Sequence, residues 1–176
     1  MKRRLEVLCA LVAALIVVLD QAIKSLVDRT MSLHESRVVV DGFLRMTYLH
    51  NRGGAFGILS ESEFPYQSLV FTLVSLAALA AIMVYAWRLP QGSVLPRLAL
   101  ALIMGGAIGN LLDRVRLGYV RDFVDVFWGA HHWPAFNLAD SAISVGVAFL
   151  VLDMLRNPQG DGAEGQMADP HAGGAR

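Results

Sequence analysis

Three aspartates lie in one stretch of the sequence that connects two apolar segments. The stretch reads GYVRDFVDVFWGAHHWPAFNLAD, residues 118–140, and it contains Asp122, Asp125 and Asp140. Two carboxylates held close together cannot both ionise easily, so the pKa of one rises and the pair can supply a base and an acid. The base can take a proton from a water that attacks a carbonyl, and the acid can protonate the leaving group. Nothing local separates Asp122 from Asp125 as a member of such a pair.

Asp140 also has a structural interpretation. In FNLAD, residues 136–140, Asn137 is placed as a helix N-cap and Asp140 stands three residues after it. Both residue types suit a helix start, where free N–H groups and the helix dipole favour them. Helix capping therefore explains Asn137 and Asp140 without catalysis, but it does not explain Asp122 and Asp125 in an otherwise apolar stretch.

The composition is that of a membrane protein. Of the 176 residues, 55% are hydrophobic and only 17% are charged, whereas a soluble domain has about 25% charged residues. The apolar residues form blocks of the length that a bilayer core of about 30 Å requires. We therefore predict an all-α membrane protein with four transmembrane helices, at about residues 5–27, 66–87, 94–112 and 139–155. These belong to one membrane-embedded domain, residues 1–156.

The segments outside the spans carry weaker signals. Asp41-Gly42 between two apolar runs predicts a hairpin, so we expect a small β-sheet in the first outer loop, resting on the membrane surface. Residues 157–176 are rich in Gly, Ala and Pro, and we expect a disordered cytoplasmic tail. Arginine counts near the span ends do not decide the orientation, but the cluster at residues 2–4 favours both termini in the cytoplasm.

The bulk numbers and the cysteine count exclude some classes of partner and site. The formal net charge is zero, so nothing in the charge suggests a polyanionic partner such as a nucleic acid. The single cysteine, Cys9, excludes an internal disulfide framework and a cysteine zinc site. No serine–histidine pair stands out, and His131 and His132 are adjacent, so they lack the spacing of a zincin.

Polar residues at membrane depth are costly and are therefore candidates for function. Asp20 and Lys24 are four residues apart and share a helix face, where they could form an ion pair that supports the loops or could contact a substrate. Asn51 precedes two glycines in HNRGGAFG, a pattern that also fits a tight turn. From these residues alone, hydrolysis and transport through a carboxylate relay remain equally open, as does a non-enzymatic assembly role.

The third span ends in GGAIGNLLDR, residues 105–114. Gly105 and Gly109 have the GxxxG spacing that allows membrane helices to approach closely, which predicts a packing role. Asn110 and Arg114 follow them on the same helix, and Asp113 could form a salt bridge at the helix end. Arg114 could reach an anionic or carbonyl group at the lipid surface.

Four motifs together resemble one enzyme family. DQAIKSLV, NRGGAFGIL, GGAIGNLLDRVRLGYVRDFVDVF and FNLADSAISVG occur in this order between residues of about 5 and 155. This pattern is similar to that of the bacterial lipoprotein signal peptidases, the aspartyl enzymes of the inner membrane. The resemblance implies four membrane spans with both termini cytoplasmic and an active site near the periplasmic face. It also implies a monomer without metal or organic cofactor, in contact with membrane lipid and inhibited by globomycin-type cyclic peptides.

The resemblance further implies an activity and a set of site residues. The activity is removal of the signal peptide from diacylglyceryl-modified prolipoproteins by a cut just before the lipidated cysteine. The catalytic pair would be Asp122 and Asp140, with Asp113 and Asp125 as supporting structure. The residues that would bind substrate are Asn51, Asn110, Arg114, Asn137, Asp20 and Lys24.

Overall fold

A computed structural model describes residues 2–53, 66–90 and 93–156. These residues form four α-helices and four β-strands, and each of the four helices is long and apolar enough to cross a membrane. The predicted tail at 157–176 and most of the glycine-rich part of the first-loop motif lie outside the described residues. The elements in chain order are α1 Lys2–Thr30, β1 Ser36–Val40, β2 Leu44–Asn51, α2 Gln67–Arg88, α3 Val94–Leu117, β3 Val120–Trp128, β4 His131–His132 and α4 Leu138–Arg156.

The third helix runs past the predicted end of its span at residue 112. It continues through Asp113 and Arg114 to Leu117, and it ends at Gly118, which has a left-handed φ of 80° and donates its backbone N–H to Arg114 O. A glycine takes this conformation without strain, so it is a common helix stop. The helix therefore extends through the charged residues Asp113, Arg114 and Arg116 and stops at the glycine.

The helices pack closely where α3 and α4 carry glycine. A Cβ on Gly105 would lie 2.8 Å from the carbonyl oxygen of Ala13 in α1. A Cβ on Gly106 would lie 2.3 Å from the carbonyl oxygen of Ala139 in α4, and one on Gly109 would lie 2.8 Å from a carboxylate oxygen of Asp20. The predicted packing role of Gly105 and Gly109 is confirmed, and α3 lies between α1 and α4.

The sheet draws on both outer segments of the chain. Its order is β1-β2-β3-β4, all antiparallel, with the β1–β2 hairpin turning at Asp41-Gly42 as predicted. The expectation that the sheet lies within the first loop was wrong in one respect, because β3 and β4 come from the segment between α3 and α4. In VRDFVDVFW, residues 120–128, branched and aromatic residues favour a strand, but the charges at 121, 122 and 125 interrupt the simple apolar alternation.

A small apolar core attaches the sheet to one end of the helices. Val27 and Met31, at the end of α1, pack with Tyr48 of β2 and Phe123 of β3. In the register of the sheet, Leu49 of β2 is opposite Asp122 of β3. Since neighbouring side chains of a strand point to opposite faces, Phe123 attaches β3 to the helix ends while Asp122 lies on the other face of the strand.

We expect Gly106→Ala to destabilise the folded protein. The new methyl group would meet the backbone of α4, which cannot move like a flexible side chain, and overpacking of this kind costs about 1–3 kcal/mol. Thermal unfolding in detergent, followed by circular dichroism, should show a melting temperature lowered by several degrees. Ala77→Val, on the exposed face of α2, is the control and should leave it nearly unchanged. Equal melting temperatures for Gly106→Ala and the wild type would contradict this packing.

Candidate active site

A buried lysine lies at the centre of the polar residues between the helices. Lys24 Nζ is 2.8 Å from Asp20 Oδ2 and 3.3 Å from Asp113 Oδ2, and all three side chains are fully buried. It also donates a hydrogen bond of 2.9 Å to Asn110 Oδ1. The second oxygen of Asp20 accepts from the backbone N–H of Ala139 at 3.0 Å. This cluster links α1, α3 and the start of α4.

Asp113 extends the cluster to the sheet. Its two oxygens accept hydrogen bonds from the Arg121 guanidinium at 2.8 and 3.3 Å, and from the Arg121 backbone N–H at 3.1 Å. The Gln21 amide donates to the same carboxylate at 2.9 Å. The predicted salt bridge of Asp113 is confirmed, and it fixes the start of β3 one residue before Asp122. Gln21 and Arg121 were not predicted as site residues. In the sequence, each is only a polar residue next to a motif aspartate.

Two asparagine amides connect Asp122 with Asp140. Asn137 Nδ2 donates to Asp122 Oδ1 at 2.8 Å and to Asn110 Oδ1 at 3.2 Å. Asn110 Nδ2 donates to Asp140 Oδ1 at 2.7 Å. Because Lys24 can only donate, it requires the oxygen of the Asn110 amide on its side and so directs the Asn110 NH₂ group at Asp140. The aspartates from β3 and α4 thus belong to one hydrogen-bond network.

Asn137 and Asp140 also form the predicted helix start. The backbone N–H of Asp140 donates to Asn137 Oδ1 at 3.0 Å, and the backbone N–H of Asn137 donates to Asp140 Oδ2 at 3.2 Å. This is a reciprocal capping box. One oxygen of Asp140 therefore serves the cap while the other faces Asn110, so capping and membership of the site are compatible.

Asp122 is almost completely buried, with 2% of its surface exposed. Its second oxygen accepts a hydrogen bond of 2.9 Å from Asn51 Nδ2. Burial, followed by the negative charge of Asp140, raises the pKa of Asp122 from 3.8 to about 7, although the two asparagine amides and Lys24 act in the opposite direction. Near neutral pH, Asp122 can therefore hold or release a proton.

Asp125 belongs to a different set of contacts. It is three residues from Asp122 on β3, and an odd separation places two side chains on opposite faces of a strand. Asp125 accepts hydrogen bonds from Arg45 at 2.5 Å and from His132 at 3.0 Å. It therefore joins β3 to β2 and β4, and no hydrogen bond links it to Asp122 or Asp140 within the described residues.

A cavity of about 410 Å³ lies beside this network. Its polar lining includes Asn51, Asn110, Arg114 and Asp140. Arg114 donates to Gly53 O at 3.1 Å, and its Nε is buried without a hydrogen-bond partner among the described residues. The apolar part of the lining consists of Val120, Trp133, Pro134, Ala135, Phe136, Ile143 and Val145. The cavity can take an apolar group and present polar donors and a carboxylate to it.

The remaining predicted site residues lie behind the cavity wall. Asp122 and Asn137 are buried and bonded to residues that line the cavity. Asp20 and Lys24 are fully buried one step further from it, and Lys24 reaches the lining through Asn110. Their position favours the ion-pair interpretation over direct contact with a substrate. Within the described residues, no group of three or more His, Cys, Asp and Glu is arranged to hold a metal ion.

Comparison with known proteins assigns the chain to a family. The family described as Signal peptidase (SPase) II matches residues 12–156. The chain belongs to the signal peptidase II family. The lipoprotein signal peptidase of Geobacter sulfurreducens is 56% identical over 139 residues, which are 79% of this chain and 86% of that protein. The lipoprotein signal peptidase of Pseudomonas aeruginosa is 40% identical over 156 residues, 88% and 92% of the two chains.

Solved structures share the fold. A bacterial membrane enzyme determined at 2.3 Å resolution superposes with a TM-score of 0.77 and 30% identity, over 89% of this chain and 93% of that chain. A second, determined at 1.9 Å, gives a TM-score of 0.75 and 28% identity over 85% and 93%. The arrangement of membrane-competent helices and antiparallel sheet is therefore that of known bacterial membrane enzymes.

In this member of the signal peptidase II family, Lys24→Met should be strongly destabilising. The change leaves two buried carboxylates without their shared cation, and breaking a buried ion pair costs about 3–5 kcal/mol. Arg37→Met is the matched control, because it removes a cation from an exposed pair with Glu35, which is worth at most about 1 kcal/mol. Thermal unfolding in detergent should separate the two variants clearly. A Lys24→Met protein as stable as Arg37→Met would show that the buried cluster does not support the fold.

Protonation of Asp122 should appear in the pH dependence of stability. The pKa in the folded state lies above 3.8, so ionisation costs the folded state free energy. The free energy of unfolding is therefore highest below pH 3.8 and decreases as the pH rises to about 7. The decrease is at most about 4 kcal/mol. Asp122→Asn cannot ionise, so the melting temperature of the wild type should fall relative to this variant between about pH 4 and 7. A difference that stays constant over this range would contradict the raised pKa.

Proposed function

We propose that the protein is an aspartyl endopeptidase of the bacterial inner membrane that removes signal peptides from diacylglyceryl-modified prolipoproteins. The cut falls just before the lipidated cysteine. The observation that carries the proposal is the network that joins the carboxylates of Asp122 and Asp140 through Asn137 and Asn110 beside an apolar cavity. The names of the relatives, lipoprotein signal peptidases, support the choice of substrate class.

The two carboxylates take different roles because their surroundings differ. Asp140 borders the cavity and lies in the first turn of α4, where the helix dipole favours a negative charge. Asp122 is buried, which favours its protonated form near neutral pH. Asp140 is thus the base that takes a proton from the attacking water, and Asp122 is the acid.

The reaction then follows in balanced steps. The oxygen of the activated water bonds to the scissile carbonyl carbon while its proton passes to Asp140, and Asp122 gives its proton to the carbonyl oxygen. When the tetrahedral intermediate collapses, the carbon–nitrogen bond breaks and the proton held by Asp140 goes to the leaving amine. The hydroxyl proton of the intermediate returns to Asp122 as the acid product forms. The pair is restored to its starting state without a cofactor.

Other cavity residues position the substrate in this proposal. The Arg114 guanidinium has a buried Nε without a partner among the described residues, so it can donate to a substrate carbonyl. Asn51 and Asn110 present amide groups to the same space. The apolar wall, which includes Trp133, Phe136 and Ile143, suits the hydrophobic residues of a signal peptide or part of an acyl chain. Asp20 and Lys24 hold Asn110 in place from behind.

The placement in the membrane follows from the same proposal. With four spans within the described residues, the start of α1 and the end of α4 lie on the same side of the membrane. The basic cluster at residues 2–4 puts that side in the cytoplasm. The sheet and the catalytic dyad, which is the pair Asp122 and Asp140, then lie near the periplasmic face, where a translocated precursor arrives. The enzyme works as a monomer embedded in lipid, and a globomycin-type cyclic peptide should inhibit it by occupying the cavity.

Cleavage of a lipidated precursor peptide by the purified protein tests the proposal. Asp122→Asn and Asp140→Asn should each lower kcat by about 10²–10⁴-fold, the range for loss of a general acid or base. Asp125→Asn is the matched control, because it makes the same chemical change on the same strand but outside the network. It should retain most of the activity.

Two outcomes would overturn the assignment. Cleavage by Asp122→Asn at the wild-type rate, with the fold intact by circular dichroism, would exclude the dyad. No cleavage of the lipidated peptide by the wild-type protein, together with cleavage of the unlipidated form, would exclude the proposed substrate class.

A further inference from the structure

A second cavity, of about 300 Å³, lies at the same end of the helices between α1 and α3. It shares no lining residue with the cavity beside the dyad. Asp113 lines the second cavity and the next residue, Arg114, lines the first, so the two cavities lie on different sides of α3. The proposed peptidase reaction leaves the second cavity unused.

Arginine dominates the charge of the second cavity. Arg29, Arg116 and Arg121 line it together with the carboxylates of Asp28 and Asp113. Arg121 is already paired with Asp113 at 2.8 Å, and Asp28 accepts a hydrogen bond of 2.5 Å from the Tyr48 hydroxyl.

The other two arginines remain available. Both are exposed, and neither Arg29 nor Arg116 forms a side-chain hydrogen bond or ion pair with another described residue. Three arginines against two aspartates leave the cavity with a net charge of +1, and the two exposed guanidinium groups can turn toward an anion. A guanidinium binds a phosphate oxygen pair with two parallel hydrogen bonds, which makes phosphate a suitable ligand.

The position of the two arginines matches the edge of a bilayer. Arg29 lies in the last turn of α1 and Arg116 in the last turn of α3, both of which are long and apolar enough to span a membrane. Arginine side chains near the ends of membrane helices reach the interface, where the lipid headgroups lie. The cavity thus lies where a headgroup phosphate is present at high local concentration.

An exposed apolar stripe continues from this site along α1. Ala22, Val18 and Leu11 precede Arg29 by 7, 11 and 18 residues, which places them on the same helix face as Arg29, and all three are exposed. Leu117 adds an apolar side chain to the cavity itself. A free phosphate ion would gain nothing from this stripe, whereas the acyl chains of a phospholipid would lie along it.

We propose that the cavity binds the phosphate group of an anionic phospholipid, with Arg29 and Arg116 on the phosphate and the acyl chains along the apolar stripe of α1. This site is separate from the dyad and does not depend on the proposed peptidase activity. The bound lipid would lie against Asp113 and Arg121, which also hold the start of β3.

Lipid titration followed by native mass spectrometry tests the proposal. Delipidated full-length protein in detergent would be titrated with phosphatidylglycerol, with zwitterionic phosphatidylcholine as the comparison lipid. The wild type should retain one phosphatidylglycerol in preference to phosphatidylcholine. The double variant Arg29→Gln/Arg116→Gln should bind it at least roughly tenfold more weakly, since each arginine at a lipid surface contributes about 1 kcal/mol.

The double variant Arg88→Gln/Arg156→Gln is the matched control, because it removes the same charge from the last turns of α2 and α4. It should bind phosphatidylglycerol like the wild type, and circular dichroism should show both double variants folded. Equal affinities in the two double variants, or equal retention of phosphatidylcholine and phosphatidylglycerol by the wild type, would overturn the proposal. Displacement of the lipid by millimolar inorganic phosphate would assign the cavity to free phosphate instead and would overturn the lipid assignment.

Discussion

The structure depends on one buried cation. Lys24 has no exposed surface, and an ammonium group inside a membrane protein is tolerated only where carboxylates and hydrogen-bond acceptors surround it. Asp20, Asp113 and Asn110 supply that surrounding from α1 and α3, and Asp20 in turn binds the start of α4. The helices must converge at this depth for the charges to be satisfied. Glycine at position 109 leaves the space that the Asp20 carboxylate occupies.

The geometry of the candidate site follows from this cluster. The lysine sets the direction of the Asn110 amide, the amide sets the hydrogen bond to Asp140, and Asn137 carries the network on to Asp122. Asp113 positions the sheet, because it binds both the guanidinium and the backbone N–H of Arg121 at the start of β3. Two carboxylates that would repel each other are thereby kept in place by groups that can only donate to them. The surroundings of the two carboxylates differ in access to the cavity, since Asp140 lines it and Asp122 is buried behind it. Such a difference separates an acid from a base in a carboxylate pair.

The sequence was sufficient for elements whose signals are local. The apolar blocks predicted the helices, Asp41-Gly42 predicted the hairpin, and Asn137 and Asp140 predicted the helix start, since each depends on neighbouring residues only. The family assignment rests on four motifs in order, and the comparisons confirm it. The roles of the individual site residues stay predictions.

Long-range contacts were harder to foresee. The strand β3 could not be predicted from its own residues, because its charged side chains pair with residues from other elements. Asp125 pairs with Arg45, and Arg121 pairs with Asp113. Without the strand, the opposite orientations of Asp122 and Asp125 could not be derived, although alternation along a strand separates them at once. The burial of Asp20 and Lys24 likewise depends on how three helices meet, which no single segment determines.

In the proposed mechanism, Asp122 and Asp140 act as a pair in which Asp122 supplies the proton. The pKa of Asp122, about 7, belongs to the free protein, and kcat/KM as a function of pH reports groups in the free enzyme. The most direct measurement is therefore kcat/KM for a lipidated precursor peptide between about pH 5 and 9. We expect a one-proton decline of kcat/KM above about pH 7, because Asp122 then loses the proton that it must donate. A value of kcat/KM that stays constant or rises up to pH 9 would contradict it.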